Sequence, residues 1–294
     1  DSGRWQSACF RVRAGAAASE GGCGGSRRVG RVLTTGAILA SRMAIVAAIV
    51  VSVSVVATRS GPVIGAMLAA LPISAGPAYI FLALDHGGEF VARSTVASLI
   101  AISGTSPFIL AHDAMRRVAG TVPCFLAAVA AFVATIAVLN LFEWTLWSAA
   151  AIAVALMVGA ILLTRTTRRN AQPFTAPARR IDLVVRAVAV MTVVATVTIL
   201  AEIAGPRAAG YGALMPVVFM SFILVMQPRV GGAAIAGLFS HAIFGILGFV
   251  PAFVAVNLAT PVLGIWWALA LGLAISVAWN VAIVGLRRKG WLRV

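Results

Sequence analysis

Long apolar runs separated by short polar segments form the dominant pattern along this chain. From Met43 onward most runs are about 20 residues long, the length of an α-helix that crosses the hydrocarbon core of a bilayer. The pattern therefore predicts an all-α polytopic membrane protein with about nine transmembrane helices. The predicted spans are 43–58, 62–84, 91–112, 118–139, 144–164, 187–204, 208–227, 231–256 and 262–286, with a neutral turn near 258–261 before the last.

Composition favours the same class. The 294 residues are 61% hydrophobic and 11% charged, with a mean hydropathy of +1.03, whereas about a quarter of the residues of a soluble domain are charged. The expected partner is therefore the lipid bilayer. A formal net charge of +15 would also suit nucleic acid. The arginines, however, lie in short clusters between apolar runs without interleaved aromatic residues, so we expect no nucleic-acid binding.

The charges between the runs alternate between two groups along the chain. Basic residues are enriched on the cytoplasmic side of membrane proteins, so the arginine-rich group predicts a cytoplasmic C-terminus and a first span that starts outside. That group contains Arg59, Arg116, Arg117, Arg165, Arg168, Arg169, Arg179, Arg180, Arg186, Arg229, Arg287, Arg288, Lys289 and Arg293, and the opposite group contains Asp85, Glu89, Arg93, Glu143 and Arg207.

An internal duplication occurs at an offset of 144 residues. Residues 61–107 and 205–251 share ten identities in 47 pairs, and seven of the ten are Gly or Pro, which fix backbone geometry. The two copies start five spans apart, an odd number, so we predict two repeats of inverted topology. The identical positions are Gly61, Pro62, Ala69, Pro72, Gly87, Gly88, Ala92, Ile102, Gly104 and Pro107, each with its partner in the second copy.

The predicted organisation has five parts. Residues 1–42 are rich in Arg, Gly and Ser, and we expect a disordered or non-native N-terminal extension. Residues 43–164 form membrane repeat 1 with five spans, and residues 165–186 form a cytoplasmic linker rich in Arg and Pro. Residues 187–286 form membrane repeat 2 with four spans, and residues 287–294 form a basic cytoplasmic tail.

Proline and hydroxyl residues inside the spans are candidates for lining a central site. A proline frees a backbone carbonyl, and freed polar groups at membrane depth are tolerated only against protein or a water-filled cavity. The alternative is that these small and kinked positions serve helix packing alone. The candidates are Pro72, Pro77, Ser103, Thr105, Ser106 and Pro216, and Gly248 with Pro251 keeps the Gly–Pro pattern of Gly104 and Pro107 without its hydroxyls.

Ionisable residues inside spans are costly and usually functional. Glu202 is a candidate for carrying a coupling proton or binding a cation, or it is a hydrated interfacial side chain. His241 is a candidate proton relay, or a neutral histidine bonded within the bundle. Asn280 is expected to form an interhelical hydrogen bond. Six residues at span ends are expected to be solvated, namely Asp85, His86, Glu89, Arg93, His112 and Asp113.

Catalytic chemistry has little support. The sequence lacks HExxH, GxSxG and Walker A motifs and any carboxylate cluster with metal-ligand spacing, so we expect no enzyme, no metal and no cofactor. Cys9, Cys23 and Cys124 have no disulfide or metal-site spacing.

The glycine–proline block resembles one that occurs in each half of a group of uncharacterised bacterial inner-membrane proteins, distantly similar to the small GlpM-like membrane proteins. The second copy departs from it, because Ala209 stands where Gly65 does and Gly210 follows. The resemblance implies a duplicated architecture in the bacterial inner membrane and no particular substrate. It rests on Gly61, Pro62, Gly65, Met67, Leu68, Ala69, Leu71, Pro72, Gly76 and Pro77, with Gly205, Pro206 and Gly210 in the second copy.

Together these features predict a secondary transporter or permease for a small solute, coupled to protons through Glu202 or His241. The alternative is a non-transporting membrane scaffold or accessory subunit, in which the glycines and prolines serve packing. The sequence carries no signal for oligomeric state.

Overall fold

A computed structural model describes residues 75–171 and 180–288, together with five isolated positions between residues 41 and 52. The chain divides into two compact units, Asp1–Ile45 and Val46–Val294, and every element below belongs to the second. The predicted first span and residues 62–74 of the second lie outside the described residues, apart from those isolated positions. The same holds for four predicted motif positions, Gly61, Pro62, Gly65 and Pro72.

The described part of this unit is mostly helical, and none of its residues belongs to a strand. Six stretches are long and apolar enough to cross a membrane, as expected of an integral membrane protein: Ala75–Met115, Thr121–Leu139, Leu146–Leu163, Met191–Ala213, Gly232–Leu263 and Ile265–Leu286. The helices are α1 (Ala75–Met115), α2 (Thr121–Leu139), α3 (Leu146–Leu163), α4 (Arg165–Arg169), α5 (Arg180–Ala213), α6 (Val217–Ser221), a π-helical turn (Phe222–Met226), α7 (Gln227–Val230), α8 (Gly232–Leu247), α9 (Phe249–Leu263) and α10 (Ile265–Arg288).

Helix α1 is a hairpin of two arms, α1a (75–86) and α1b (88–115). Gly87 between them has φ 78° and ψ −176°, which is outside helical geometry. Tyr79 in α1a and Ser98 in α1b are 19 positions apart, yet their hydroxyl oxygens lie 2.7 Å from each other. A straight helix would hold these residues about 28 Å apart, so the chain folds back at Gly87.

Three more glycines with positive φ mark reversals of the same kind. Gly205 (φ 74°) divides α5 into the arms α5a (180–204) and α5b (206–213), Gly231 (φ 84°) separates α7 from α8, and Gly264 (φ 79°) separates α9 from α10. This backbone conformation is close to exclusive to glycine. The contacts that close the three turns are Val197 with Gly212 around Gly205, Phe219 with Phe239 around Gly231, and Val256 with Gly272 around Gly264.

Arm α1b is the central helix of the bundle. Helix α1 packs against α2, α3, α5 and α9, and 78% of the residues in its most apolar stretch lie inside the protein, compared with 22% for α2 and 17% for α10. The outer helices expose large apolar side chains such as Leu126, Leu162 and Trp267. A hydrophobic surface of this kind suits contact with lipid.

The turns gather at two opposite ends of the bundle. At one end, which we call the turn end, Gly88 lies against Thr260 and Ile265, and Arg207 Nη2 donates a hydrogen bond to Glu143 Oε2 at 2.6 Å. At the other, which we call the basic end, Gly232 lies against Arg116 and Gly237 against Ala171. The ends agree with the two groups of charges that the sequence pattern separates.

Several boundaries differ from the predicted spans. The six membrane-length stretches do not confirm a count of nine. Residues 258–261, predicted to be a turn, belong to α9, and the chain reverses at Gly264 instead, because only a glycine there permits the positive φ. The predicted span 208–227 is interrupted by a non-helical link at 214–216. Both ends of the predicted linker 165–186 are helical, in α4 and at the start of α5.

We expect Gly264→Ala to lower the free energy of unfolding by about 1–3 kcal/mol. A Cβ at this position would meet no atom within 4 Å, so the whole effect would come from the positive φ. Gly159→Ala is the matched control. Its Cβ also meets open space, but the residue lies in the regular helix α3, where alanine should stabilise by about 0.5–1 kcal/mol. Denaturant unfolding in detergent measures both, and equal effects of the two substitutions would contradict the assigned turn.

Candidate functional site

The central arm α1b carries a series of buried hydroxyl side chains. In an apolar bundle each hydroxyl needs a hydrogen-bond partner, and three of them find one in their own helix: Ser94 donates to Phe90 O, Thr95 to Ala92 O and Ser103 to Leu99 O. The Oγ of Ser106 is buried with no hydrogen-bond partner among the described residues. The six hydroxyl residues that are at most 4% exposed are Ser94, Thr95, Ser98, Ser103, Thr105 and Ser106.

A hydrogen-bonded chain joins three segments in the half of the bundle near the turn end. Ser98 Oγ donates to the carbonyl of Gly210 at 2.8 Å, and Tyr79 therefore donates its hydroxyl proton to Ser98 Oγ. Gly210 also lies directly against the carbonyl of Ser94 and against Ala97, so close that a Cβ there would collide. Glycine thus allows α5b to touch the backbone of α1b, as small residues do in membrane bundles.

Asn257 ties α9 to the same region. Its Nδ2 donates to the carbonyl of Ala92 at 2.7 Å and to Thr95 Oγ1 at 2.9 Å. The ring of Phe253, one turn earlier in α9, lies 5.2 Å from that of Tyr79. Arms α1a, α1b and α5b and helix α9 are therefore held together by side-chain polar contacts as well as by packing.

A second polar cluster, at the basic end, is centred on Asp113. Arg116 Nε donates to Asp113 Oδ1 at 2.7 Å, and Thr167 Oγ1 of α4 donates to Oδ2 at 2.8 Å. The Asp113 and Arg116 side chains are only 11% and 16% exposed. Arg117 adds a longer ion pair at 3.6 Å from an exposed position. The carboxylate therefore fastens the short helix α4 to the end of the central arm.

Arg168 of α4 is buried beside this cluster. Its Nη1 donates to Thr164 Oγ1 and its Nη2 to the carbonyl of Ile161, and its guanidinium lies 5.1 Å from the ring centre of Phe244 in α8. A cation over an aromatic face is attractive, most of all where water is excluded. The sequence pattern placed this arginine in a linker, and the structure has it packed between α3 and α8.

His112 lies next to Asp113 and is fully buried. Its Nε2 is 2.8 Å from Gln227 Oε1 at the start of α7, and its ring is 5.2 Å from that of Phe239 in α8. Gln227 directly follows the π-helical turn, a feature that often occurs at functional sites. The basic end thus joins a buried ionisable side chain to an irregular helix.

The predicted site residues do not converge on one point. Pro77 is buried in the first turn of α1a, and Pro216 lies in the non-helical link before α6. Glu202 is exposed at the turn end, 3.9 Å from His86 Nε2. His241 is half-buried in α8, where its Nδ1 hydrogen-bonds the carbonyl of Gly237.

Three predictions about polar residues are wrong. His112 and Asp113 were expected to be solvated. Counted over the whole residue, however, they are 0% and 8% exposed, because α4, α7 and α8 cover this end of α1b. Asn280 was expected to bond another helix, but its Nδ2 donates to Ser276 O one turn earlier in α10. Asn257, which the sequence reading passed over, makes the interhelical bond instead.

The chemistry available here is hydrogen bonding and proton binding. Among the described residues no group of three or more His, Cys, Asp or Glu side chains is placed to hold a metal ion. Cys124 is buried as a free thiol. Comparison of the chain with protein-family models, curated proteins and solved structures finds no match.

Asp113→Asn should lower the free energy of unfolding by about 3 kcal/mol, because it leaves the buried Arg116 without its counter-charge. Glu89→Gln is the matched control. It breaks the ion pair between Glu89 and Arg93 of α1b, whose side chains are 80% and 69% exposed. A solvated ion pair contributes about 0–1 kcal/mol to the free energy of unfolding. The comparison is made by denaturant unfolding in detergent. Similar losses for the two variants would mean that the Asp113 cluster is hydrated.

Proposed function

We propose that this chain is a secondary transporter or permease for a small solute in the bacterial inner membrane, built from two repeats of inverted topology. The observation that carries the proposal is the sequence duplication at an offset of 144 residues, together with the buried hydroxyl side chains of α1b. We infer from it that equivalent helices of the two copies run antiparallel. Membrane proteins with this relation commonly bind solutes between the repeats.

Glycines that match in sequence occupy matching turns. Gly87 and Gly231 are equivalent at the offset of 144, and both reverse the chain with φ near 80°. The same offset pairs Gly120 with Gly264, each of which directly precedes a helix, α2 and α10 respectively. Gly87 lies at the turn end and Gly231 at the basic end. Equivalent turns at opposite ends support inverted copies.

Packing inside the repeats follows the same correspondence. Gly104 in α1b receives the ring of Phe132 from α2, the next helix along the chain, at 2.9 Å from an ideal Cβ. Its equivalent Gly248 receives the ring of Trp279 from α10, again the next long helix. In both copies the glycine makes room for an aromatic side chain of its own repeat, which supports a common ancestry for the two halves.

The contacts between the two copies run in opposite directions. The start of α1b meets α9, where Asn257 bonds Thr95, and the end of α1b meets α8, where His112 lies beside Phe239. If Thr95 and Asn257 are each replaced by the equivalent residue of the other copy, 144 positions away, the pair becomes Phe239 and Asp113. Phe239 contacts His112, the direct neighbour of Asp113. This near-exchange supports a two-fold axis perpendicular to the helices, which would lie in the plane of a membrane.

The second copy also contains an interrupted helix. The helical path from Pro206 to Val230 breaks at Met215–Pro216 and passes through a π-helical turn at Phe222–Met226. Non-helical backbone at membrane depth requires protein or water around it, and discontinuous helices of this type form the solute sites of many transporters. Glu202 and His241 are the candidates that the sequence pattern offers for proton coupling.

The alternative of a scaffold has one observation in its favour. Gly210 packs onto the backbone of α1b, and the carbonyl of Gly210, the hydroxyl of Ser98 and the hydroxyl of Tyr79 satisfy one another. Such a contact suits permanent packing as well as it suits a transporter in one closed state. Access of water to the hydroxyl face of α1b separates the two functions.

Topology tests the inverted repeats. Reporter fusions after Arg117, Arg169 and Arg229 should report the cytoplasm, and fusions after Glu89, Glu143 and Arg207 should report the outside, because basic loops are retained on the cytoplasmic side. A fusion after Arg59 should also report the cytoplasm, opposite to its repeat partner near Ile203. If the fusions after Arg59 and Arg207 report the same side, the duplication is parallel and the transporter proposal loses its main support.

Thiol labelling tests for a water path. In a background with Cys9, Cys23 and Cys124 replaced by Ser, we expect Ser103→Cys and Ser106→Cys to react with a small water-soluble thiol reagent in native membranes. Ala101→Cys is the matched control, because at 100° per residue it faces the opposite side of the same buried helix and is also fully buried. Labelling that is absent at all three positions would favour the scaffold, since a transporter must open its centre to water.

A further inference from the structure

We propose that His112 is the proton-binding residue of the bundle, and that its contact with Gln227 couples the binding of a proton to the position of the interrupted segment Val217–Val230. The second half of this inference rests on the proposed transport function, whereas proton binding by His112 does not. Both Glu202 and His241 are less suited to the role. Glu202 is largely exposed to solvent, and His241 is bonded within its own helix.

The geometry at His112 leaves one ring nitrogen ready for a proton. The Oε1 of Gln227 accepts, so Nε2 of His112 carries the hydrogen of that bond. A neutral imidazole then has an unprotonated Nδ1, and this atom is buried with no hydrogen-bond partner among the described residues. A buried acceptor left without a donor is destabilising, and a proton from water is a ligand that would fill it.

The surroundings of His112 contain charges of both signs. On its own helix, Asp113 and Arg116 form the ion pair described above. The elements that cover this end contribute Arg168 from α4 and Arg229 from α7, and α8 contributes the apolar ring of Phe239. Asp113 is thus the carboxylate nearest in sequence to an imidazolium at His112, and its second oxygen is held by Thr167. Protonation would place a new positive charge among these groups and change the electrostatic interactions within the cluster.

Gln227 connects His112 to the interrupted segment Val217–Val230. It lies between the π-helical turn Phe222–Met226 and the reversal at Gly231, and the segment is bounded by the non-helical link 214–216 on one side and by Gly231 on the other. Its side chain is 6% exposed and bridges this segment to the central arm. A charge change at His112 therefore acts directly on the least regular membrane segment that the structure describes.

The experiment uses the full chain in lipid nanodiscs and two isotope labels. The protein has three histidines, so ¹⁵N-imidazole NMR gives three sets of signals, and His86→Gln and His241→Gln assign His112 by elimination without changing it. We expect His112 to be the Nε2–H tautomer at high pH and to convert to imidazolium as the pH is lowered.

Methionine ¹³C-methyl signals report the coupled movement in the same sample. Met220 and Met226 lie in the interrupted segment, and Met157 in α3 is also buried and serves as the control. We expect the signals of Met220 and Met226 to shift along the titration curve of His112 while that of Met157 stays fixed, and His112→Gln to abolish the shifts. The titration of the unmodified protein carries the test even if that variant does not fold.

Two results would overturn the proposal. A His112 that stays in one neutral tautomer over the whole pH range would remove proton binding, whatever the thiol labelling says about transport. A His112 that titrates while Met220 and Met226 stay fixed would remove the coupling. Labelling of Ser103→Cys and Ser106→Cys would remain positive in either case if the chain is a transporter, so the two failures are distinguishable.

Discussion

The architecture depends on reversing a helix within a single residue. Backbone amides and carbonyls in an apolar bundle must be paired, so a long irregular connection at a helix end would expose groups that hydrocarbon cannot satisfy. Gly87, Gly205, Gly231 and Gly264 avoid this, because a positive φ at one residue ends one helix and lets the next begin immediately. The neighbouring arms then pack against each other, and the polar contacts of the central arm are consequences of where these reversals fall.

Close approach of backbones is the second element of the design. Gly210 brings α5b onto the carbonyl of Ser94, Gly104 and Gly248 receive aromatic rings, and Gly272 receives Val256. Without a hydrophobic driving force between helices in lipid, such contacts and interhelical hydrogen bonds supply the association. The same small residues that permit packing also leave hydroxyls and carbonyls of α1b within reach of other helices, so packing and polar chemistry occupy one surface.

The sequence allowed much of this framework to be predicted, and the reasons for success and failure are physical. The predicted breaks between apolar spans at 85–90 and 228–230 fall at or next to the reversals at Gly87 and Gly231, because polar and glycine residues interrupt the apolar runs there. The sign of the loop charges predicted which turns share an end.

The burial of His112 and Asp113 could not be predicted in the same way. The groups that cover them, Thr167 and Gln227, lie 54 and 115 positions away, and a polar pair at a span end looks the same whether water or protein follows it. For Asn257 and Asn280, the rotation of α9 and α10 about their own axes decides which side-chain amide faces a neighbouring helix. When a helix is apolar on all sides, its sequence does not indicate that rotation.

The two copies of the duplicated sequence share glycine and proline positions but not polar side chains. Where α1b has Thr95, Ser98, Ser103 and Ser106, the equivalent positions of α8 and α9 hold Phe239, Ala242, Leu247 and Val250. In the proposed architecture of inverted repeats the duplication would supply a symmetric frame, while the polar groups compared here belong almost entirely to one arm. The ionisable groups show the same asymmetry, since His112 and Asp113 correspond to Val256 and Asn257 in α9. If the two repeats exchange conformations, as inverted repeats do in transporters, the frame can adopt two related states. In both states the solvated or proton-bearing surface would remain that of α1b, which makes this arm the place where chemistry and conformational change meet.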